Sequence, residues 1–153
     1  MAKKTAFILG LAFMLLGIVG FFVPHVLDTH LSPMHNIIHF ISGAAAVYYS
    51  VSNTVFARRF CLIFGTFYFL LGVLGFALGK PSAPTVPITA PQLHEDAHLW
   101  QVLPGTLELG DHDHALHLVL GLVFVFAGLM PASKAVVPRL RTAPPDERRK
   151  EAV

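Results

Sequence analysis

Four apolar stretches, 5–23, 34–51, 60–79 and 115–130, divide this 153-residue chain. A helix needs roughly 20 mostly apolar residues to cross the hydrocarbon core of a bilayer. The first and third stretches are long enough by themselves, and the second and fourth become so when the histidine-bearing turns that open them are included. Only 13% of the residues are charged, where a soluble domain carries about 25%, so lipid is the solvent this composition calls for. The fold class that follows is all-α, an integral membrane four-helix bundle. Residues 1–131 form its single transmembrane domain, with helices at about 5–23, 34–52, 59–79 and 112–130 and an outer loop at 80–111. Residues 132–153 form a basic cytoplasmic tail, and beyond 143 the chain is polar and short of apolar anchors, a composition that favours disorder.

Charge orients the bundle. With four crossings Lys3, Lys4, Arg58, Arg59 and the lysines and arginines after residue 130 fall on one side, and only Lys80 falls on the other. The positive-inside rule makes the crowded side cytoplasmic and puts both termini there. The net charge of +2 is thereby accounted for without nucleic acid, and the bilayer is the expected partner. Lys3 and Lys4 ahead of an apolar run could also open a signal peptide. The run is longer than the 7–15 residues of a cleaved leader and ends in Val23-Pro24-His25 rather than a small-residue site, so it is expected to be retained. The one cysteine, Cys61, cannot form an intrachain disulfide.

The chain carries an internal repeat. ILGLAFMLLGIVGF at 8–21 and IFGTFYFLLGVLGF at 63–76 share seven of fourteen residues at an offset of 55, including Gly10/Gly65, Gly17/Gly72 and Gly20/Gly75. The second and fourth stretches match more weakly at an offset of 78, where His39, Gly43 and Val47 correspond to His117, Gly121 and Val125. Those three positions are spaced by four and share one helix stripe. The repeat is of the parallel kind, two helical hairpins related about the membrane normal. The second outer loop is the longer, and prolines at 81, 84, 87 and 91 exclude a regular helix or a central strand from its first part. Residues 92–101 (QLHEDAHLWQ) are expected to form a short amphipathic helix at the interface, followed by turns at Gly105 and Gly110.

All nine histidines fall in the outer loops or the outer turns of the second and fourth helices, with six of the nine acidic residues. His35 precedes His39 by four residues and Asp113 precedes His117 by four, so each pair shares a face. His114 is a fifth member of the group. Imidazole and carboxylate on facing helices are how bundles build metal sites, and the candidate metal ligands are His35, His39, Asp113, His114 and His117. Two facing imidazoles, His39 and His117, could instead hold haem iron. A divalent metal ion and haem are therefore the candidate cofactors. The plainer alternative is that these side chains bond across helices and fix their packing. Phosphate-loop, dinucleotide and Ser-His-Asp patterns are absent, and an enzyme is not expected.

The motifs HNIIHxxxG at 35–43 and DxxxHLxLG at 113–121, with glycine-rich first and third helices, resemble a bacterial membrane family known as domain of unknown function 4383. The resemblance spans roughly 6–130 and departs at His114, where the family usually has asparagine. It implies the four-pass fold and the bacterial inner membrane, and it implies no activity. The resulting expectation is a metal-, haem- or small-ligand-binding module between the second and fourth helices. An accessory subunit with a larger membrane partner comes next, and then a small transporter, which would have to be a homo-oligomer because four helices make a thin path.

Overall fold

The computed structural model describes residues 1–24, 26–86 and 95–131. Four helices dominate: α1 (Ala2–Val19), α2 (Pro33–Val51), α3 (Thr54–Leu78) and α4 (Asp111–Leu129). Among the described residues, α1, α3 and α4 are long and apolar enough to cross a membrane. The 19-residue α2 is not among them, because His35, Asn36, His39, Ser42 and Ser50 dilute its apolar character. The expected tail from 132 onward lies outside the described residues.

Local chemistry sets the helix boundaries. The Ser32 hydroxyl accepts the His35 N–H at 3.2 Å and Pro33 takes the first position of α2, where a missing N–H costs nothing. The Asn53 side chain accepts the Phe56 N–H at 3.0 Å, which starts α3 at Thr54 rather than near 59, where the apolar stretch begins. At the same end of the second hairpin, Arg58 donates through Nε to the Gly128 carbonyl at 2.9 Å, satisfying an acceptor in the last turn of α4.

The helices pack as two antiparallel hairpins, α1 on α2 and α3 on α4, with backbones drawn together at glycines. A Cβ on Gly10 would stand 2.9 Å from the Gly43 carbonyl oxygen, and one on Gly65 2.8 Å from that of Gly121. Further along, Gly17 and Gly20 lie against Asn36, and Gly72 and Gly75 lie against His114. Every glycine and partner in the second set stands at the offsets of 55 and 78 from its counterpart in the first. The faces turned away from the bundle are apolar on all four helices, with Ile8, Leu15, Ile41, Ile63, Phe67, Val119 and Phe126 exposed. The seam between the hairpins is filled by rings and small residues: Ala2, Ala6, Phe13, Ala57, Cys61, Tyr68 and Phe124.

The chain is not purely all-α. Within 80–111 lies a three-stranded antiparallel sheet in the order β1 (Lys80–Ser82), β2 (Asp96–Leu103), β3 (Leu107–Leu109). The amphipathic helix expected at 92–101 is replaced from Asp96 onward by β2, and its earlier residues lie outside the described part. The physical reason is a hairpin: Pro104-Gly105-Thr106 turns the chain, with Gly105 at φ +72°, and Leu103 and Trp100 pair with Leu107 and Leu109. Pro81 sits on β1, an edge strand, where its missing donor is tolerated. Glu108, fully buried on β3, binds the surrounding loops: it accepts from the backbone of Thr85 at 2.7 Å and Gly105 at 3.0 Å, and from Gln101 Nε2 at 3.0 Å.

Candidate histidine site

The five residues singled out by spacing are all buried, none more than 5% exposed, at the end of the bundle that carries the sheet. The structure brings three of their rings together across the seam. His35 stacks on His39 with centroids 4.4 Å apart, and it lies 6.1 Å from the ring of His117. Phe13 of α1 closes the far side of His39 by stacking at 5.2 Å, and Tyr68 of α3 meets His117 edge-on at 5.0 Å. Spacing within α2 and α4 did not point to Phe13 and Tyr68. The repeat could have, because the two occupy the same position in the aligned 14-residue segments.

The hydrogen bonds divide the group. His35 donates from Nδ1 to the His30 carbonyl at 2.9 Å. Asp113 Oδ1 stands 3.9 Å from that nitrogen, while its Oδ2 accepts the Gly110 N–H at 2.9 Å, capping α4, and the His30 N–H at 3.1 Å. His114 faces elsewhere, donating from Nε2 to the His98 carbonyl at 2.8 Å and resting against Gly75 and Phe76. Three of the five candidates thus hold the fold at this end. His39 and His117 are different: among the described residues neither ring makes a hydrogen bond, and the buried Nδ1 of each is unpartnered, whereas His114, whose Nδ1 is also unpartnered, is held through its other nitrogen. A buried polar atom left so costs about 1–3 kcal/mol, and each instance calls for an explanation.

Among the described residues no group of three or more His, Cys, Asp or Glu side chains is arranged to hold a metal ion. The ring of His35 stands beside both candidate haem ligands, stacked on His39 and 6.1 Å from His117. What the geometry offers is a pair of open imidazole nitrogens, a third imidazole held back by a backbone carbonyl, and an aromatic wall on each side.

Around this cluster lies a second layer that the spacing argument did not single out. His30 pairs through Nε2 with Asp96 of β2, His98 pairs through Nδ1 with Asp111 at 2.9 Å, and the Ser32 hydroxyl donates to the Thr106 carbonyl at 2.7 Å. These contacts join segments 66, 13 and 74 residues apart in the chain, so helical periodicity carries no trace of them.

No curated protein and no solved structure matches the chain. The profile of the domain of unknown function (DUF4383) matches residues 3–97, which takes in α1, α2, α3 and β1, and with them His35 and His39. The match stops short of α4, so Asp113, His114 and His117 lie beyond it. Since the matched segment is more than half of its length, the chain belongs to the DUF4383 family.

Proposed function

We propose that this chain is a four-pass protein of the bacterial inner membrane, with both termini cytoplasmic, that binds a metal ion at His39 and His117. The apolar outward faces of all four helices support the crossings. The clustering of Lys3, Lys4, Arg58 and Arg59 at one end, with Lys80 at the other, supports the orientation. The repeated glycine contacts support reading the two hairpins as copies of one unit.

One observation carries the binding proposal: His39 and His117 are buried, neither ring is engaged in a hydrogen bond among the described residues, and both lie beside a third imidazole. Imidazole suits zinc and copper, and a partner for those nitrogens would repay the cost of leaving them unbonded. A third ligand is available if His35 leaves the His30 carbonyl and turns toward the seam. Asp113 and His114 act as framework in this reading and do not ligate.

The test is metal content after purification in mild detergent and equilibration with Zn²⁺ or Cu²⁺, for the wild type and for His39→Ala combined with His117→Ala. A stoichiometric ion in the wild type that is absent from the double variant supports the site. The ring geometry also favours a second reading, an accessory membrane subunit whose histidines serve only as packing. Phe13, His39 and His35 form a continuous stack, and Tyr68 is seated on His117. That reading predicts no bound ion and a large loss of thermal stability in the double variant. An intact, equally stable double variant that still binds the ion would remove both.

A further inference from the structure

We propose that the three-stranded sheet is a clasp laid across the seam between the two hairpins, and that its release is what opens the way to His39 and His117. The inference rests on the site reading above for its purpose, though not for its geometry. The sheet is inserted between α3 and α4 and so belongs covalently to the second hairpin. Its polar ties nevertheless reach the first hairpin. The Thr106 carbonyl at the β2–β3 turn accepts from Ser32 Oγ at 2.7 Å, and Asp96 of β2 pairs with His30. Asp113 at the start of α4 adds a third tie by accepting the His30 N–H at 3.1 Å. All three land on the segment that leads into α2, and the carbonyl of that same His30 holds the ring of His35. Drawing the sheet away from His30 and Ser32 therefore frees the segment whose carbonyl holds the imidazole beside His39 and His117.

The rest of the seam is built to give. Within each hairpin, helix backbones approach closely at glycines, Gly10 and Gly17 in the first and Gly65 and Gly72 in the second. Between the hairpins, contact is made by rings and small residues, and an apolar cleft of about 80 Å³ lined by Leu9, Ala12, Phe13, Leu16 and Leu120 is left beside them. Rings can slide past one another, whereas backbones interlocked at glycines cannot. The few hydrogen bonds of the clasp exchange readily with water. A closed state held by ties of this number and kind leaves a minor open population of roughly 0.1–10%.

Thiol accessibility tests this without any ligand. In purified detergent-solubilised protein carrying Cys61→Ser, a reporter His117→Cys is labelled with a hydrophilic maleimide. Two clasp variants are added singly. Ser32→Asp keeps an acceptor for the cap of α2 but has no proton for the Thr106 carbonyl, and Asp96→Ala removes the partner of His30. Each is expected to raise the labelling rate roughly tenfold, the effect of losing one charge-assisted or buried hydrogen bond. Asn53→Ala, which weakens the cap of α3 at the far end, is the control for general destabilisation and is expected to leave the rate unchanged. Unchanged labelling in both clasp variants, or equal acceleration in Asn53→Ala, overturns the clasp. Accelerated labelling, with no metal bound by protein that keeps His117, retains the clasp and sinks the site, and metal bound by that His117 protein with unaltered labelling of the reporter does the reverse.

Discussion

The ring of Phe13 meets the ring of Tyr68 edge-on, 5.4 Å between centroids and 65° between planes. Each also meets a histidine, Phe13 with His39 and Tyr68 with His117, so rings from all four helices pack in succession at the seam. The arrangement makes Phe13 a shared wall. It packs the core with Phe64 and Phe124, and it also fixes the plane of His39.

Phe13→Ala is accordingly expected to destabilise the protein and to loosen His39 together. Truncating a buried phenylalanine costs about 3–5 kcal/mol in water-soluble cores. The low end applies here, because lipid tails rather than water are the alternative surroundings of an apolar ring. Chaotrope titration of the detergent-solubilised protein measures the loss. Phe13→Leu, which keeps bulk and loses only the flat stacking surface, should recover more than half of it. Equal losses in the two variants would show that the flat ring contributes more than volume.

The glycine contacts make a sharper prediction because their neighbours differ. A Cβ on Gly121 would lie 2.7 Å from Phe69 Cα and 2.8 Å from the Gly65 carbonyl oxygen, both backbone atoms that cannot step aside. A Cβ on Gly128 would lie 2.8 Å from Leu62 Cγ, part of a side chain that can rotate. Gly121→Ala should cost about 1–3 kcal/mol, the usual range for overpacking, and Gly128→Ala clearly less. Thermal midpoints of the two variants compared side by side decide it, and the reverse order would refute the close approach at Gly121.

Much of this was legible in the residues. Apolar length marked the helices, and spacing by four marked the buried face of α2, where His35, Asn36, His39, Gly43, Ala46 and Ser50 lie. Spacing also gathered five candidates at one end of the bundle. It could not say which of them were already occupied, because the partners of His35, Asp113 and His114 are backbone groups outside the helices, at His30, Gly110 and His98, that no helical period reaches. The sheet escaped for a related reason. Residues 96–103 carry an amphipathic pattern too short to separate strand from helix, and their strand character comes from pairing with Lys80–Ser82 and Leu107–Leu109. Pro104-Gly105 was the one local clue to the hairpin.

Asp113 offers a clean separation of framework from ligand. Its Oδ2 accepts two backbone N–H groups, from Gly110 and His30. Asp113→Ala should therefore cost more than the loss of an ordinary cap, which is about 1 kcal/mol, because a second buried donor is orphaned with it. Asp113→Asn keeps a neutral acceptor and should cost less. If Asp113 is framework only, the Asn variant binds Zn²⁺ or Cu²⁺ within about twofold of the wild type. A drop of 10–100-fold, the size seen when a group supporting a metal ligand is removed, would return Asp113 to the site. Isothermal titration with the metal alone reads the difference.

Glu108 gives the pH dependence of the sheet. Burial alone would raise its carboxyl pKa, but hydrogen bonds from the Gly105 backbone, the Thr85 hydroxyl and the Thr85 and Val86 backbone outweigh that and hold it below the ordinary glutamate value. A group whose folded pKa is depressed stabilises the fold in its ionised form. The contribution is complete above the unfolded value of about 4.3 and is lost as the pH falls through the lower folded value. Trp100, the single tryptophan, lies on β2 opposite Leu109 and reports on the sheet. Its fluorescence should hold steady as the pH is lowered from neutral and change only below about pH 4. Glu108→Gln replaces charge-assisted acceptors with a neutral one and brings a donor to face the Thr85 and Gly105 N–H groups. At neutral pH it should lose about 1.5–3 kcal/mol of sheet stability, and the acid transition belonging to this carboxyl should vanish. A Gln variant with the wild-type acid profile would mean that another group governs the sheet.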